Sequence, residues 1–152
     1  MWQDSLTEQQ IHLMDSATNK WELIQNLSKA LCEREKLDRE SRAEIEHELI
    51  EREKLMSTGI GEQMAIPHAV VQRAPKFMTE CAIVRNGLDF ESIDGSPAYI
   101  VVLLVAPKSA LQEHLKVMAS IAKVFYNADT RQRVIAATSA AEVLNAIRSA
   151  AG

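Results

Sequence analysis

Apolar positions in the first half of the chain recur at two different spacings. A short apolar run over residues 11–14 predicts an opening strand. Asn19 lies three residues before Glu22 in a pattern that resembles a capping box, so a helix of about three turns is predicted after it. Its apolar positions at helical spacing are Trp21, Ile24, Leu27 and Leu31.

A second helix is predicted in the charge-dense stretch 33–54. Ser41 and Glu44 form a second capping signal, which precedes an apolar stripe made by Ile45, Leu49 and Met56. The many charged residues of this stretch are interpreted as the solvated face of the helix.

Strand signals dominate the middle of the chain. The glycines in 57–61 predict a turn, and strands are predicted over 64–71 and 80–85. Asp94-Gly95 predicts a second turn, before the unbroken apolar run of residues 99–106, which is typical of a strand buried on both faces.

Helical patterns continue to the end of the chain, over residues 110–127, 130–138 and 140–150. No repeat, low-complexity segment or Gly/Pro/Ser-rich linker interrupts the sequence, so residues 1–152 are expected to form a single domain. The expected fold class is α/β, with a mixed β-sheet flanked by helices on both faces.

Composition narrows the classes of function. The net charge of −4, with basic residues interspersed among acidic ones, argues against a nucleic-acid partner. Cys32 and Cys81 match no metal-ligand or redox spacing and are interpreted as buried or incidental thiols. No basic region followed by an apolar stretch opens the chain and no run approaches transmembrane length, so a cytoplasmic protein without membrane insertion is expected.

The run Met-Ala-Ile-Pro-His-Ala-Val-Val at 64–71 contains the first candidate for chemistry, His68. Pro67 has no backbone donor and its ring steers Ile66 towards an extended conformation, so this run is predicted to be an edge strand or a strand end. A neutral imidazole at such a rim is a nucleophile that can carry a group covalently. The alternative is a histidine that only forms a hydrogen bond at a strand end.

Arg52 is the second candidate. It lies three residues after Leu49 and four before Met56, so at 100° per residue it falls in the middle of the apolar stripe. A guanidinium there needs an anion or several acceptors. A structural ion pair, or snorkelling at the helix end, is the alternative to a functional role.

His114 is the third candidate. Its spacing to Leu111, Val117 and Met118 places it inside the apolar arc of its helix, in the first turn, where free backbone N–H groups disfavour a protonated ring. We therefore expect a largely neutral imidazole close to an anion site, with a buried histidine bonded to a carbonyl as the alternative. His12 and His47 have no such placement, and His47 is expected on the polar side of the second helix.

A set of strings then gives a specific resemblance. Arg-Glu-Lys-Leu at 52–55, Ser-Thr-Gly-Ile-Gly at 57–61, Ala-Ile-Pro-His at 65–68, Leu-Asp-Phe at 88–90, Ile-Asp-Gly at 93–95, Ala-Pro at 106–107 and Glu-His-Leu at 113–115 occur in this order. Together they resemble the fructose/mannitol-type IIA domain of the bacterial sugar phosphotransferase system, a family that includes the nitrogen-regulatory IIA proteins. The resemblance covers essentially the whole chain.

The resemblance implies a phosphotransferase component that needs no cofactor. His68 matches the histidine that accepts a phosphoryl group from a histidine phosphocarrier protein, and in transporter members the next acceptor is a cysteine on a IIB domain. Arg52 matches the family's active-site arginine and His114 its second histidine. Phosphoryl transfer needs an in-line nucleophile and positive or donor groups around the oxygens, which suits these three residues.

Two alternatives remain open at this stage. One is a nitrogen-regulatory protein in which phosphorylation of His68 changes partner binding and no sugar is transported. The other is a metal site on His68 and His114, which is disfavoured because zinc usually takes three protein ligands. Glu62-Gln63 and Ala69-Val70 depart from many family members, and they affect the rim of the site rather than its reacting groups.

Overall fold

The computed structural model describes residues 2–150, in which a mixed sheet lies between two layers of helices. The helices are α1 (Trp2–Ser5), α2 (Lys20–Arg34), α3 (Arg39–Leu55), α4 (Leu111–Tyr126), α5 (Ala128–Ala136) and α6 (Ala140–Ser149). The strands are β1 (Ile11–Met14), β2 (Gly59–Gly61), β3 (Met64–Ala65), β4 (His68–Val71), β5 (Met78–Leu88) and β6 (Ala98–Pro107). The predicted α/β class is confirmed.

Strand β6 organises the sheet. The strands are ordered β1-β5-β6-β3-β2, and β4 pairs with β6 beyond the end of β3. β1 is parallel to β5, β5 is antiparallel to β6, and β3 and β4 are both parallel to β6. Within residues 2–150, β6 is the only strand that pairs with β4, so β4 is an edge strand, as Pro67 predicts.

The two faces of the sheet have separate apolar cores. α2 and α3 cover one face, where Ile24, Leu31, Ile45 and Leu49 are almost completely buried. α1, α4, α5 and α6 cover the other face through residues such as Phe125 and Ile147. Side chains of β6 alternate between the cores, which explains its unbroken apolar sequence.

Helix α3 begins earlier than the capping signal at Ser41 predicts. The N-cap is Asp38, whose carboxylate accepts a hydrogen bond from the Ser41 backbone N–H at 2.8 Å. An Asp at this position satisfies one of the free donors of the first turn, so Ser41 becomes a buried helical residue. At the other end, Met56 lies beyond the helix and is exposed, so its predicted place in the apolar stripe is wrong.

The segment before His68 also differs from its predicted form. Gly59 and Gly61 belong to strand β2, and the reversal of the chain occurs at Glu62 and Gln63, which both have positive φ. The single strand predicted over 64–71 is divided into β3 and β4, because the Ile66 N–H donates to Thr58 instead of β6 and Pro67 has no N–H to donate.

Other predicted features agree with the structure in detail. Asn19 caps α2 by accepting the Glu22 N–H at 2.8 Å, and Asp94-Gly95 forms a turn with Gly95 at a φ of 73°.

Both cysteines are buried free thiols, and burial raises the pKa of Cys81 to about 12. None of the helices in residues 2–150 combines the length and apolar character needed to cross a bilayer.

Candidate functional site

Arg52, His68 and His114 line one open cleft of about 570 Å³ at the edge of the sheet. The cleft forms where the two helical layers meet at edge strand β4. Arg52 comes from α3 on one face, His114 comes from α4 on the other, and His68 is the first residue of β4. The structure thus brings together the three residues that the sequence selects.

The ring of His68 has a defined tautomer. Its Nδ1 lies 2.8 Å from the backbone oxygen of Ile66. A carbonyl oxygen can only accept, so Nδ1 must carry the proton and Nε2 keeps its lone pair in the neutral ring. Pro67 accepts a backbone hydrogen bond from Leu104 at 3.0 Å, which fixes the strand entry beside the ring.

His114 packs directly against His68. The ring centroids are 5.5 Å apart with an interplanar angle of 48°, and His114 is 3% exposed. Its Nδ1 is buried and has no hydrogen-bond partner among the residues that the structure describes, so the alternative of a carbonyl-bonded ring is not observed. A buried ring nitrogen without a hydrogen-bond partner is costly, so this one calls for an explanation.

Among the described residues, the guanidinium of Arg52 is hydrogen-bonded only to the end of its own helix. Nη1 donates to the backbone oxygen of Met56 at 2.8 Å, and within residues 2–150 no carboxylate forms an ion pair with Arg52. Arg52 is partly buried and lies beside the buried stripe, not in its middle as predicted. Its remaining donors are therefore available to an anion in the cleft.

The residue of α3 that lies on the buried stripe is Glu53. It continues the series Ser41, Ile45, Leu49 at four-residue spacing and is 2% exposed. Its carboxylate accepts from the Thr58 N–H at 2.9 Å and from the Thr58 hydroxyl at 2.5 Å, and it forms an ion pair with Lys20 Nζ at 3.0 Å. Arg52 and Glu53 lie three and four residues after Leu49, so helical periodicity fits both, and the structure places Glu53 on the stripe.

The electrostatics of the cleft favour neutral imidazoles. Burial lowers the pKa of His68; its hydrogen bond to Ile66 opposes this effect, and the charge of Arg52 lowers the pKa further. Burial also lowers the pKa of His114, and the neighbouring His68 contributes in the same direction. Both rings are therefore expected to be neutral beside the guanidinium of Arg52, which has no ion-pair partner in residues 2–150.

Exposed apolar side chains surround the cleft. Leu55 is 83% exposed, Leu111 55% and Leu115 60%, and Val70 also lines the opening. Ala69 is instead buried in the core under α3, so only part of the run after His68 is available at the surface. The rim combines apolar contact area with a polar centre.

A second cleft differs from this one because its cations are paired with carboxylates. A cleft of about 520 Å³ is lined by Arg34 and Lys76, but Arg34 is paired with Glu80, and Lys76 lies 2.9 Å from Glu35. In the described range 2–150, no three His, Cys, Asp or Glu side chains are grouped so that they could hold a metal ion.

Comparisons with known proteins agree on one family. The model described as "Phosphoenolpyruvate-dependent sugar phosphotransferase system, EIIA 2" matches residues 4–150. A nitrogen regulatory protein of Bradyrhizobium diazoefficiens is 35% identical over 99 residues, which are 65% of this chain and 65% of that protein. The fructose-specific EIIABC component of Bacillus subtilis is 28% identical over 142 residues, 93% of this chain and 22% of that protein. The chain thus spans less than two thirds of each relative.

A solved structure shows the same arrangement of helices and strands. The crystal structure of the nitrogen regulatory protein IIA-Ntr from Neisseria meningitidis superposes with a TM-score of 0.83 at 27% identity. The superposition covers 96% of this chain and 98% of that one.

Proposed function

The chain belongs to the EIIA 2 family of the phosphoenolpyruvate-dependent sugar phosphotransferase system, and from this premise we propose that it is a phosphohistidine carrier with His68 as the acceptor. The observation that carries the proposal is the arrangement around His68: a ring whose Nδ1–H is held by a carbonyl, next to a guanidinium without an ion-pair partner in residues 2–150.

The transfer step follows from this arrangement. The lone pair of His68 Nε2 attacks the phosphorus of a phosphohistidine on the donor protein. The new N–P bond forms as the donor's N–P bond breaks, and the electron pair of that bond returns to the donor imidazole. The Nδ1–H of His68 stays hydrogen-bonded to Ile66, so the ring keeps its orientation throughout.

Arg52 and His114 assist without forming bonds to phosphorus. The fork of the Arg52 guanidinium offers several donors to the charged phosphoryl oxygens. His114 is packed against His68 and lines the same cleft, which suits it to hydrogen-bond a phosphoryl oxygen or to orient the first ring.

The partners proposed are a histidine phosphocarrier protein as donor and a cysteine-bearing IIB domain as acceptor. The name of the Bacillus subtilis relative, a fructose-specific EIIABC component, supports transfer towards sugar uptake. The apolar rim with Leu111 and Leu115 offers a contact surface for both partners, which would use the same cleft in turn.

A second candidate function is regulation. The relative from Bradyrhizobium diazoefficiens is named a nitrogen regulatory protein, and it is 35% identical to this chain. In this case the same phosphorylation of His68 changes the charge of the cleft and thereby selects the protein partner, and no sugar is transported.

Mapping of the phosphorylated residue tests the central proposal. The protein is incubated with phosphoenolpyruvate, enzyme I and the phosphocarrier protein, and acid-labile, base-stable phosphate is located by mass spectrometry. We expect one phosphate on His68, none in His68→Ala, and normal labelling in His47→Ala, which changes an exposed histidine of α3. Normal labelling of His68→Ala would refute the assignment.

The choice between transport and regulation needs a second assay. The phosphorylated protein is mixed with a purified IIB domain, and the loss of phosphate from His68 is followed over time. Rapid transfer to the IIB cysteine supports the transport function. A phosphoprotein that keeps its phosphate but changes its affinity for a regulatory target supports the alternative.

A further inference from the structure

We infer that Glu53 is a positioning residue for His68, acting through Thr58 and Ile66, and that the ion pair with Lys20 holds its carboxylate in place for this task. This inference rests on the proposed function of His68. It concerns a buried group that contacts neither the cleft nor a transferred phosphoryl group.

The first link joins Glu53 to the segment before β2. Both carboxylate oxygens bond to Thr58: Oε2 accepts the backbone N–H and Oε1 accepts the hydroxyl. Thr58 is 4% exposed, so water does not replace these bonds readily. The end of α3 and the residue before β2 are therefore held together by one carboxylate.

The second link joins Thr58 to the ring of His68 through one residue. The backbone oxygen of Thr58 accepts the N–H of Ile66 at 3.0 Å, and the backbone oxygen of Ile66 accepts from His68 Nδ1 at 2.8 Å. The direction of the Ile66 carbonyl determines which ring nitrogen carries the proton. A displaced Thr58 would move Ile66 and release that nitrogen.

Lys20 gives the buried carboxylate of Glu53 a partner of opposite charge. Its Nζ lies 3.0 Å from Glu53 and 3.2 Å from Glu91, and 4.8 Å from the centroid of the Trp21 ring. Lys20 is itself 4% exposed. A buried ion pair seldom stabilises more than apolar side chains of the same size would, so its presence on an apolar stripe fits a role in fixing one conformation.

Glu53 also affects the second group of the cleft, Arg52. Neighbouring residues on a helix project about 100° apart, so a Glu53 that is anchored inward leaves Arg52 directed towards the cleft. The carboxylate of Glu53 thus orients both the ring of His68 and the guanidinium of Arg52.

The test compares two glutamates that are both buried and both bonded to a cation but lie in different parts of the fold. Glu53→Gln is paired with Glu80→Gln, because Glu80 is also fully buried and bonded to a cation, Arg34. Glu80 lies two strands away from His68, opposite Leu103 of β6, which belongs to the core under α2 and α3. Thr58→Val is included as a milder change that replaces the hydroxyl with a methyl group and keeps the backbone N–H that bonds to Glu53.

Two quantities are measured on each variant. Nitrogen-15 NMR of the unphosphorylated protein, at a pH where the ring is neutral, gives the fraction of His68 with the proton on Nδ1. Rapid-quench mixing with the phosphorylated phosphocarrier protein gives the loading rate. We expect the Nδ1–H form in wild type and Glu80→Gln, a mixture of tautomers in Glu53→Gln and Thr58→Val, and loading about tenfold slower in those two variants.

The possible results are distinct. If Glu53→Gln and Thr58→Val keep the wild-type tautomer and rate, the positioning role is wrong while the carrier function stands. The role is also wrong if Glu80→Gln changes tautomer and rate as much as Glu53→Gln does. If Glu53→Gln does not fold, Thr58→Val and the double variant Lys20→Met/Glu53→Gln decide by the same two readouts. If wild type is never loaded, the proposed function fails, and the tautomer comparison still tests the positioning role.

Discussion

Among residues 2–150, one cluster of an arginine, a histidine and a carboxylate is internally paired, and a second cluster leaves its arginine without an ion-pair partner. In the first, the buried carboxylate of Glu80 bonds to Arg34 and, at 2.6 Å, to His12 Nε2. In the second, Arg52 lies beside His68 and His114, and in residues 2–150 no carboxylate pairs with it.

The difference shows how the same residue types serve two purposes. In the cluster at Glu80 every charge has its partner within the fold, so nothing remains for a ligand. In the cleft no carboxylate among residues 2–150 forms an ion pair with Arg52, although Glu48 and Glu51 also line it, and Nε2 of the neutral His68 ring keeps its lone pair. Under the proposed function, a phosphoryl group would bring the anion that pairs with Arg52.

The largest effect on stability is expected from a substitution in the cluster around Glu80. Arg34→Met leaves the fully buried carboxylate of Glu80 without its cation, and we expect the free energy of unfolding to fall by about 3 kcal/mol. Urea unfolding measures this change, and the loading rate of His68 should stay at the wild-type value. A loss below about 1 kcal/mol would show that the pair is worth no more than an exposed one.

The reverse pattern is expected for Arg52. Arg52→Gln removes a charge that has no ion-pair partner in the described chain, so the stability should change by less than about 1 kcal/mol. The loading rate should fall about 100-fold, the usual scale for one lost group that stabilises transition-state charge. Arg52→Lys keeps the positive charge but loses the planar set of guanidinium donors. This variant should fold normally and accept the phosphoryl group at an intermediate rate. Unchanged kinetics in both variants would make Arg52 structural.

A smaller effect is expected for His114. Because its ring supports His68 from a buried position, His114→Gln should still allow His68 to be phosphorylated, while transfer to the acceptor slows about tenfold. Single-turnover rates of loading and unloading, measured separately, test this role. Equal rates in variant and wild type would contradict it, as would phosphate on His114 in the native protein.

The smallest effect is expected on the pKa of His68. Burial lowers the pKa of His68, so its ring should stay neutral down to below the ordinary value of about 6.5. The positive charge of Arg52 also lowers this pKa, and Arg52→Gln should therefore raise it, so that protonation begins at a higher pH in the variant. NMR titration of the unphosphorylated proteins gives both values. A lower pKa in Arg52→Gln would contradict the proposed proximity.

Much of the fold follows from local sequence patterns. The apolar run of β6, the Asn19 cap of α2 and the arc of α4 each depend on residues close together in the chain, and their elements form as predicted. Pro67 likewise predicts an edge strand at β4, because a residue without an N–H cannot join a central ladder. These features are decided by covalent geometry and periodicity.

The sequence also selected His68, His114 and Arg52 as candidates, since each type of side chain is unusual in its pattern. The pattern of α3 predicted Arg52 on the buried stripe, whereas the structure has Glu53 there and Arg52 beside it. A helix pattern over 41–56 fits either residue until the neighbouring elements are known, because both lie within one turn of the apolar stripe.

Only the tertiary structure decided which charges are paired. Lys20 is 33 residues from Glu53, and Glu80 is 46 residues from Arg34, so no local pattern connects these partners. The packing of α2 against α3 and of α2 against the sheet supplies them. Because Coulomb attraction and hydrogen bonds act through distance in space, the sequence by itself selected the candidate groups, and only the fold decided that Arg52 has no carboxylate partner within residues 2–150.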